Sequence, residues 1–365
     1  MKQYQDLLQR ILDEGCEKES GRPNMPHTWG IEDGEIKMDL REGFPLLTTK
    51  KMPWKMIVHE LLWFLRGETN IKYLVDNNVN IWNGDAYRWY QKWWEEAGQH
   101  QGGLRKLDTI EEFIEQVKQE SNPPYIWTAT NKKDFGWVVD TEYTVGDLGK
   151  VYGYQWRNQN GVDQVKEVLD GLKTNPYRRY HIIDSWNKAD FKDMALPPCH
   201  LLYQFIVRPL TIDERLRYKE NLKPGQNPGF ELGRSDEYYE SYCDNWDIPK
   251  FYLNLNLYQR SCDTFLGVPF NIASMSLLLM LFAKVNNMIP KQSKWMGGDV
   301  HIYMDHIPVV KEQINREPKP LPKMIIKKDI KNLDDILALT IDDFDVVDYQ
   351  SDDKLFGELH TGYKK

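Results

Sequence analysis

Four cysteines in 365 residues, with no Cys-x-x-Cys pair among Cys16, Cys199, Cys243 and Cys262, leave little material for a disulfide framework. A reducing cytoplasm is therefore the expected setting. The N-terminus, Met1-Lys-Gln-Tyr-Gln-Asp-Leu-Leu, lacks the apolar core of a signal peptide. The longest apolar run, near residues 275–283, is shorter than the roughly 20 residues a bilayer span requires, so no membrane partner is expected. Positive charge is not in excess. Lys and Arg total 47 against 55 Asp and Glu, a net charge of −8 that speaks against a general nucleic-acid surface and leaves room for a local basic pocket around one phosphate. Repeats and linker-like stretches are absent as well. What the chain does hold is rings: 13 Trp, 20 Tyr and 13 Phe, with 41% apolar residues, exclude a disordered chain and favour a rigid interior. The length allows one large core or two ordinary ones. Without a linker, one α+β domain over residues 1–365 is the simplest architecture.

Apolar residues at Tyr4, Leu7, Leu8, Ile11 and Leu12 recur at helical spacing, and Gly15 is placed to end that helix. Alternation over 31–40 predicts a strand, followed by a turn at Gly43-Phe-Pro. Residues 57–65 read as an apolar helix holding one carboxylate, Glu60. The pattern is lost over about 91–142, where Lys, Glu, Gln and Gly dominate, and this stretch reads as an insertion. A second polar stretch, about 209–249, reads as inserted between strands at 201–207 and 251–257. A buried helix is expected over 271–286, with Ala273 and Ser274 as its small-residue start.

The chemistry centres on Met194-Ala-Leu-Pro-Pro-Cys199-His200. A lone cysteine is most often a small buried hydrophobe. It becomes a nucleophile when nearby positive charge favours the thiolate. Arg178, Arg179, Arg260 and His200 are the available sources of that charge. His200 is a poor general base for its neighbour, because adjacent residues on a strand face opposite ways. The block Leu257-Tyr-Gln-Arg260-Ser-Cys-Asp263-Thr-Phe-Leu-Gly-Val-Pro-Phe-Asn271 adds an arginine, a carboxylate and an amide, and the two blocks read as one nucleotide site. The Asn271 amide offers a donor and an acceptor together and so complements O4 and N3–H of uracil; the alternative is an ordinary helix N-cap. Glu60, among apolar neighbours, is a candidate proton shuttle, since burial raises a carboxylate pKa. His301 and Tyr303 share one strand face and suit sugar hydroxyls. His301 and His306 lack a third ligand at a recognisable spacing, so no metal is expected.

Several motifs resemble the thymidylate synthase family: Gly43-Phe-Pro-Leu-Leu-Thr-Thr-Lys50, His59-Glu60-Leu-Leu-Trp-Phe-Leu, Ile81-Trp82, Val151-Tyr152-Gly-Tyr-Gln-Trp-Arg157, the segments 194–200 and 258–274, and Gly297-Gly-Asp299-Val-His301-Ile-Tyr303. They cover most of 1–90 and 143–325, in the family's order. The resemblance implies a mixed β-sheet with packed helices and a homodimer. It also implies transfer of one carbon from 5,10-methylenetetrahydrofolate, a co-substrate, to C5 of dUMP. Cys199 would add to C6 of the pyrimidine, Glu60 would manage protons with ordered water, and Tyr152 would assist removal of the C5 proton. Asn271 would fix the base, while His301 and Tyr303 would hold the ribose. Arg22, Arg260 and Ser261 align with phosphate contacts, and Arg179 matches an arginine donated across the dimer. Lys50, Trp82 and Asp263 fall at folate-side positions, and Asp263 also counts with the catalytic set.

Three departures qualify the resemblance. The first phosphate loop reads Arg22-Pro-Asn-Met where the family usually has Arg-Thr-Gly-Thr. The paired arginines are shifted, with Tyr180 replacing the second and Arg178 available to compensate. The tail, 351–365, is polar where the family closes with a short apolar segment. After the folate leaves, an electrophilic methylene remains on C5; hydride makes it methyl, whereas water makes it hydroxymethyl. A polar or open lid favours water. The expected activity is therefore a dUMP hydroxymethyltransferase like the pyrimidine hydroxymethylases of bacteriophages. Thymidylate synthesis, giving dTMP and dihydrofolate, is the alternative, and a catalytically idle nucleotide-binding protein is the rival from another class.

Overall fold

The computed structural model describes residues 1–21, 25–97, 105–119, 126–132, 138–220 and 233–361. Among them the strands are β1 (Cys16–Lys18), β2 (Thr28–Ile31), β3 (Gly34–Asp39), β4 (Ile126–Lys132), β5 (Val138–Thr144), β6 (Ile182–Asp184), β7 (His200–Pro209), β8 (Phe251–Asp263), β9 (Ile289–Tyr303), β10 (Lys323–Ile326) and β11 (Phe344–Val347). The helices are α1 (Lys2–Glu14), α2 (Trp54–Leu65), α3 (Lys72–Asp76), α4 (Asn83–Ala97), α5 (Ile110–Gln119), α6 (Tyr152–Asn158), α7 (Gln164–Thr174), α8 (Ile212–Glu220), α9 (Asp236–Asn245), α10 (Gly267–Val285), α11 (Ile307–Ile314) and α12 (Leu333–Leu337).

One sheet, ordered β1-β2-β9-β8-β7-β6 with β3 also on β9, organises these elements. It is mixed: β8 and β9 run parallel, joined by the crossover helix α10, and the other pairs are antiparallel. That single parallel pair matters, because it places the ends of β8 and β9 together at one edge of the core, beside the start of α10. The core is one continuous cluster in which α2 and α10 are buried almost throughout. Helix α10 is long and apolar enough to cross a membrane by length and composition, and 78% of its apolar window is buried inside the fold. Its apolarity is the usual mark of a core helix.

The N-terminal helix forms as its spacing predicts, burying Tyr4, Leu7, Leu8 and Ile11. Gly15 follows as its C-cap in an extended conformation, and only glycine fits there: a Cβ would lie 2.4 Å from the Ile11 carbonyl oxygen and 2.8 Å from the Trp29 ring. The strand expected over 31–40 is β3, which begins at Gly34 because a turn separates it from β2, ending at Ile31. Residues 91–142 are not patternless. They hold the end of α4, then α5 with Phe113 and Val117 buried, then the β4-β5 hairpin. Between β7 and β8 the chain forms α8 and α9, which close on each other through Leu216, Tyr242, Cys243 and Ile248. The core helix starts four residues before the expected Asn271, at Gly267, with Leu266 as N-cap. Asn271 is therefore in the second turn, and the N-cap reading of it is incorrect. Pro269 is tolerated because the first-turn N–H groups of a helix have no partner inside it.

Candidate active site

A cavity of about 450 Å³ opens where α2, α4, α6, β8, α10 and the end of β9 meet. Its wall includes Glu60, Trp82, Tyr152, Cys199, Ser261, Asp263, Asn271, His301 and Tyr303, drawn from segments more than two hundred residues apart. Also on the wall are Asp85, Gln259 and Asp299, to which the sequence assigned no role, together with His200 and the tail residues Gly357, Leu359, His360 and Thr361.

Cys199 immediately precedes β7, where the β7-β8 register shifts between His200 and Leu202. The preceding prolines have no N–H and leave their carbonyls to accept. Arg260 Nε bonds the Pro198 oxygen at 2.7 Å, and its terminal nitrogen bonds the Pro197 oxygen at 2.8 Å. That same nitrogen lies 3.8 Å from Cys199 Sγ. A fixed guanidinium beside a half-buried sulfur favours the thiolate. The other buried cysteine in the region, Cys262, is different: burial pushes its thiol far up.

Tyr152, the first residue of α6, accepts from the backbone N–H of Cys199 at 2.7 Å and of His200 at 3.3 Å. Full burial raises its phenol well above the ordinary value, so it stays protonated and keeps one proton to donate. His200 is held neutral. Burial lowers it to about 4, partly offset by a hydrogen bond that its ring N–H donates to the Asn271 side chain, and Tyr203 approaches its Nδ1 at 3.2 Å. Asn271 is thus anchored on His200 at the cavity wall.

Glu60 faces the cavity from the middle of α2, only 8% exposed. Burial raises its carboxyl to about 7, while a hydrogen bond from Trp82 Nε1 at 2.8 Å acts the other way. Trp82 packs against Trp63, Phe64 and Tyr152, which fixes its indole. His301 and Tyr303 share one face of β9, with ring centres 5.5 Å apart. His301 Nδ1 meets Asp299 at 3.0 Å, and this bond, with Lys18, holds the Asp299 carboxyl down at about 2. Asp263 Oδ1 accepts from the N–H groups of Phe265 and Leu266 and so shapes the turn into α10.

Other expected residues lie elsewhere. Lys50 is buried off the cavity wall, its amine on the Phe265 carbonyl and 4.0 Å from that ring, and burial lowers it to about 8. Arg178 sits over the Tyr180 ring at 3.9 Å, near Glu167 at 3.4 Å; Arg179 is exposed. Neither lines this cavity. Arg22 lies outside the described residues. The third group missing from the sequence around His306 is supplied by the fold: Asp305, His306 and His360 bring possible ligand atoms within 4.8 Å of one another. Those atoms are engaged in contacts with the tail, described below. The tail is polar, as expected, and its described part, to Thr361, contributes Gly357, Leu359, His360 and Thr361 to the cavity wall.

A family model described as "Thymidylate synthase" matches residues 2–360. The chain belongs to the thymidylate synthase family. Its similarity to proteins named thymidylate synthase runs almost end to end. The protein of Malacoplasma penetrans (strain HF-2) is 40% identical over 361 residues, covering 98% of this chain and 99% of that one. The thymidylate synthase of Mycoplasma pneumoniae shows the same identity and coverage, and that of Mesoplasma florum is 37% identical over 361 residues. For a member of the thymidylate synthase family, whose enzymes transfer a one-carbon group using methylenetetrahydrofolate as co-substrate, the α+β fold and mixed sheet are those expected.

Proposed function

We propose that this chain is a thymidylate synthase, converting dUMP and 5,10-methylenetetrahydrofolate to dTMP and dihydrofolate. The observation that carries the reading is one cavity holding Cys199 beside the Arg260 guanidinium and facing Glu60 with a carboxyl raised to about 7. In this reading Cys199 adds to C6 of the uracil ring, which makes C5 nucleophilic. Asn271, fixed by neutral His200, pairs with O4 and N3–H. Tyr152 and Glu60 handle the protons, Glu60 because its pKa matches neutral pH. His301, Tyr303 and Ser261 take the sugar and phosphate side, and Trp82 with Asp263 the folate side. The co-substrate supplies both the carbon and the hydride.

Methylation is preferred over the expected hydroxymethylation for two reasons. Full-length relatives carry the name thymidylate synthase, and the tail residues Gly357, Leu359, His360 and Thr361 pack on the cavity wall, which in this reading leaves less room for water. The polar side chains His360 and Thr361 among them keep water capture as the alternative. The deciding experiment is incubation of the protein with dUMP and methylenetetrahydrofolate, followed by identification of both products. Dihydrofolate with dTMP is expected; tetrahydrofolate with 5-hydroxymethyl-dUMP overturns the methylation reading. Absence of tritium release from C5-labelled dUMP would instead indicate an idle binder.

The homodimer belongs to the same proposal. Arg178 and Arg179 stand off their own cavity, next to exposed Tyr177 and Tyr180, and the outer face of β7 and β8 exposes Ile206 and Tyr258. Such a face suits a second copy, whose cavity would receive Arg179. Mixing inactive Cys199→Ser and Arg179→Ala chains should restore part of the activity through hybrid sites. A mixture that stays inactive argues against the shared site. The four free thiols fit a reducing cytoplasm.

A further inference from the structure

Beyond Tyr349 the chain runs back across the molecule, held first by Asp352 N–H on the Thr48 carbonyl at 2.8 Å, the Lys319–Asp352 ion pair at 2.7 Å and Arg316 on the Asp353 carbonyl at 2.8 Å. It then reaches the cavity and is fastened on two opposite sides. On one side His306 Nε2 donates to the Glu358 carbonyl at 3.0 Å, and His360 Nε2 meets Asp305 at 2.9 Å with its ring 4.6 Å from that of Tyr303. On the other side Arg88 bonds the Thr361 carbonyl. Arg88 is also paired with the cavity carboxylate Asp85 at 2.6 Å and reaches the Ala195 carbonyl, four residues before Cys199, at 3.3 Å. One guanidinium therefore joins the tail, the α4 wall and the nucleophile's loop.

The fit under the strap is tight. A Cβ on Gly357 would come within 2.7 Å of the Phe265 ring and 2.8 Å of His306 Nε2. A Cβ on Gly84 would fall 2.5 Å from Thr361 Oγ1. The strap has one seat, and Gly357, Leu359, His360 and Thr361 form part of the cavity wall there.

We infer that Arg88 and His360 are positioning residues that fasten segment 357–361 over the cavity, and that this fastening sets whether the C5 methylene is captured by hydride or by water. The inference rests on the proposed function. Hydride arriving at the methylene carbon makes a methyl group, shifts the double bond to C5–C6 and expels the Cys199 thiolate, while tetrahydrofolate is oxidised to dihydrofolate. Water at the same carbon forms a C–O bond, loses a proton and expels the same thiolate, and tetrahydrofolate is released unoxidised. Both routes follow loss of the C5 proton, so tritium release precedes the branch and does not depend on it.

The test compares wild type with His360→Ala, Arg88→Met and Gly84→Ala by the ratio of 5-hydroxymethyl-dUMP to dTMP, alongside tritium release. Each variant should raise that ratio by roughly tenfold, as loosening a closed site admits water. KM for the folate should rise while KM for dUMP changes little, and His360→Gln, which keeps a donor for Asp305, should restore most of the wild-type ratio. Arg88→Met removes the ion pair with Asp85; if that chain does not fold, Gly84→Ala decides, because alanine is the better helix former and acts only on the strap. Tritium release with an unchanged product ratio in His360→Ala and Gly84→Ala overturns the inference and leaves the proposed function standing. No tritium release from wild type overturns the function itself and this inference with it.

Discussion

Trp82 donates its indole N–H to Glu60 Oε1 at 2.8 Å, so a polar contact and an apolar surround act on one carboxyl group in opposite directions. Burial is the larger effect and leaves Glu60 at about 7. The hydrogen bond stabilises the carboxylate form and so restrains that rise. Removing it in Trp82→Phe should move the Glu60 limb of the kcat/KM profile upward by about one pH unit. A limb that stays in place would assign it to another group.

The same group leaves a mark on stability. Its folded value lies above its unfolded value of 4.5, so the folded state holds the proton more tightly. The stabilisation is complete below pH 4.5 and is lost as pH rises to about 7. Glu60→Gln cannot ionise and escapes this loss. Above pH 7 it should be more stable than wild type by up to roughly 3 kcal/mol in denaturant titrations, with the two converging near pH 4. Turnover should fall by about 10²-fold or more. Equal stability at pH 8 would show that Glu60 is not buried as an acid.

Cys199 and Arg260 make a separate case, read by chemistry rather than turnover. In a Cys16→Ser background, which removes the exposed thiol, iodoacetamide should modify Cys199 selectively. Arg260→Gln keeps much of the side-chain volume but loses the charge 3.8 Å from the sulfur. Alkylation at pH 7 should slow by roughly tenfold. Cys199→Ser should lose activity by about 10³-fold or more, since the hydroxyl is a far weaker nucleophile. Retention of ordinary turnover in that variant would end the covalent mechanism.

Much of this site was legible because its chemistry sits in short blocks. Pro197-Pro198-Cys199 and Arg260 are apart in sequence, yet strand pairing of β7 with β8 makes them neighbours, and both blocks read as chemical from residue type alone. Periodicity is harder to see. Ile110, Phe113, Ile114 and Val117 carry the i, i+3, i+4, i+7 spacing of α5, but the surrounding Lys, Glu and Gln obscured it. Helix α10 begins at Gly267, four residues before the expected start at 271, because a Pro in the first turn is compatible with a helix; Asn271 is therefore not at its end. The strap was beyond sequence reading in a different way. Arg88 meets Thr361 across 273 positions, and no local pattern marks either partner. The polarity of the tail is plain in the sequence, but polarity alone does not reveal where a segment is tied down.

The pairing of Asn271 with His200 leads to a prediction about the base. His200 is neutral above about pH 4, because burial opposes its charge, and the Asn271 amide is held against it. That depressed value also destabilises the fold as pH falls from 6.5 toward 4, where the unfolded imidazole protonates first. Asn271→Asp puts an acid in the same place. If it stays protonated in this enclosed wall, it presents the donor that N3 of cytosine needs and the acceptor that the 4-amino group needs. The variant should lose roughly 10² to 10³ in kcat/KM for dUMP, since a buried mispaired polar group is costly in the transition state. Tritium release from C5-labelled dCMP should appear at the same time. An ionised Asp would instead pair with protonated His200, bring its folded value closer to 6.5 and shrink the acid loss of stability relative to Asn271→Ala, whereas a protonated Asp would leave that loss. Failure of the variant to release tritium from dCMP, with dUMP turnover unimpaired, would show that Asn271 does not contact the base.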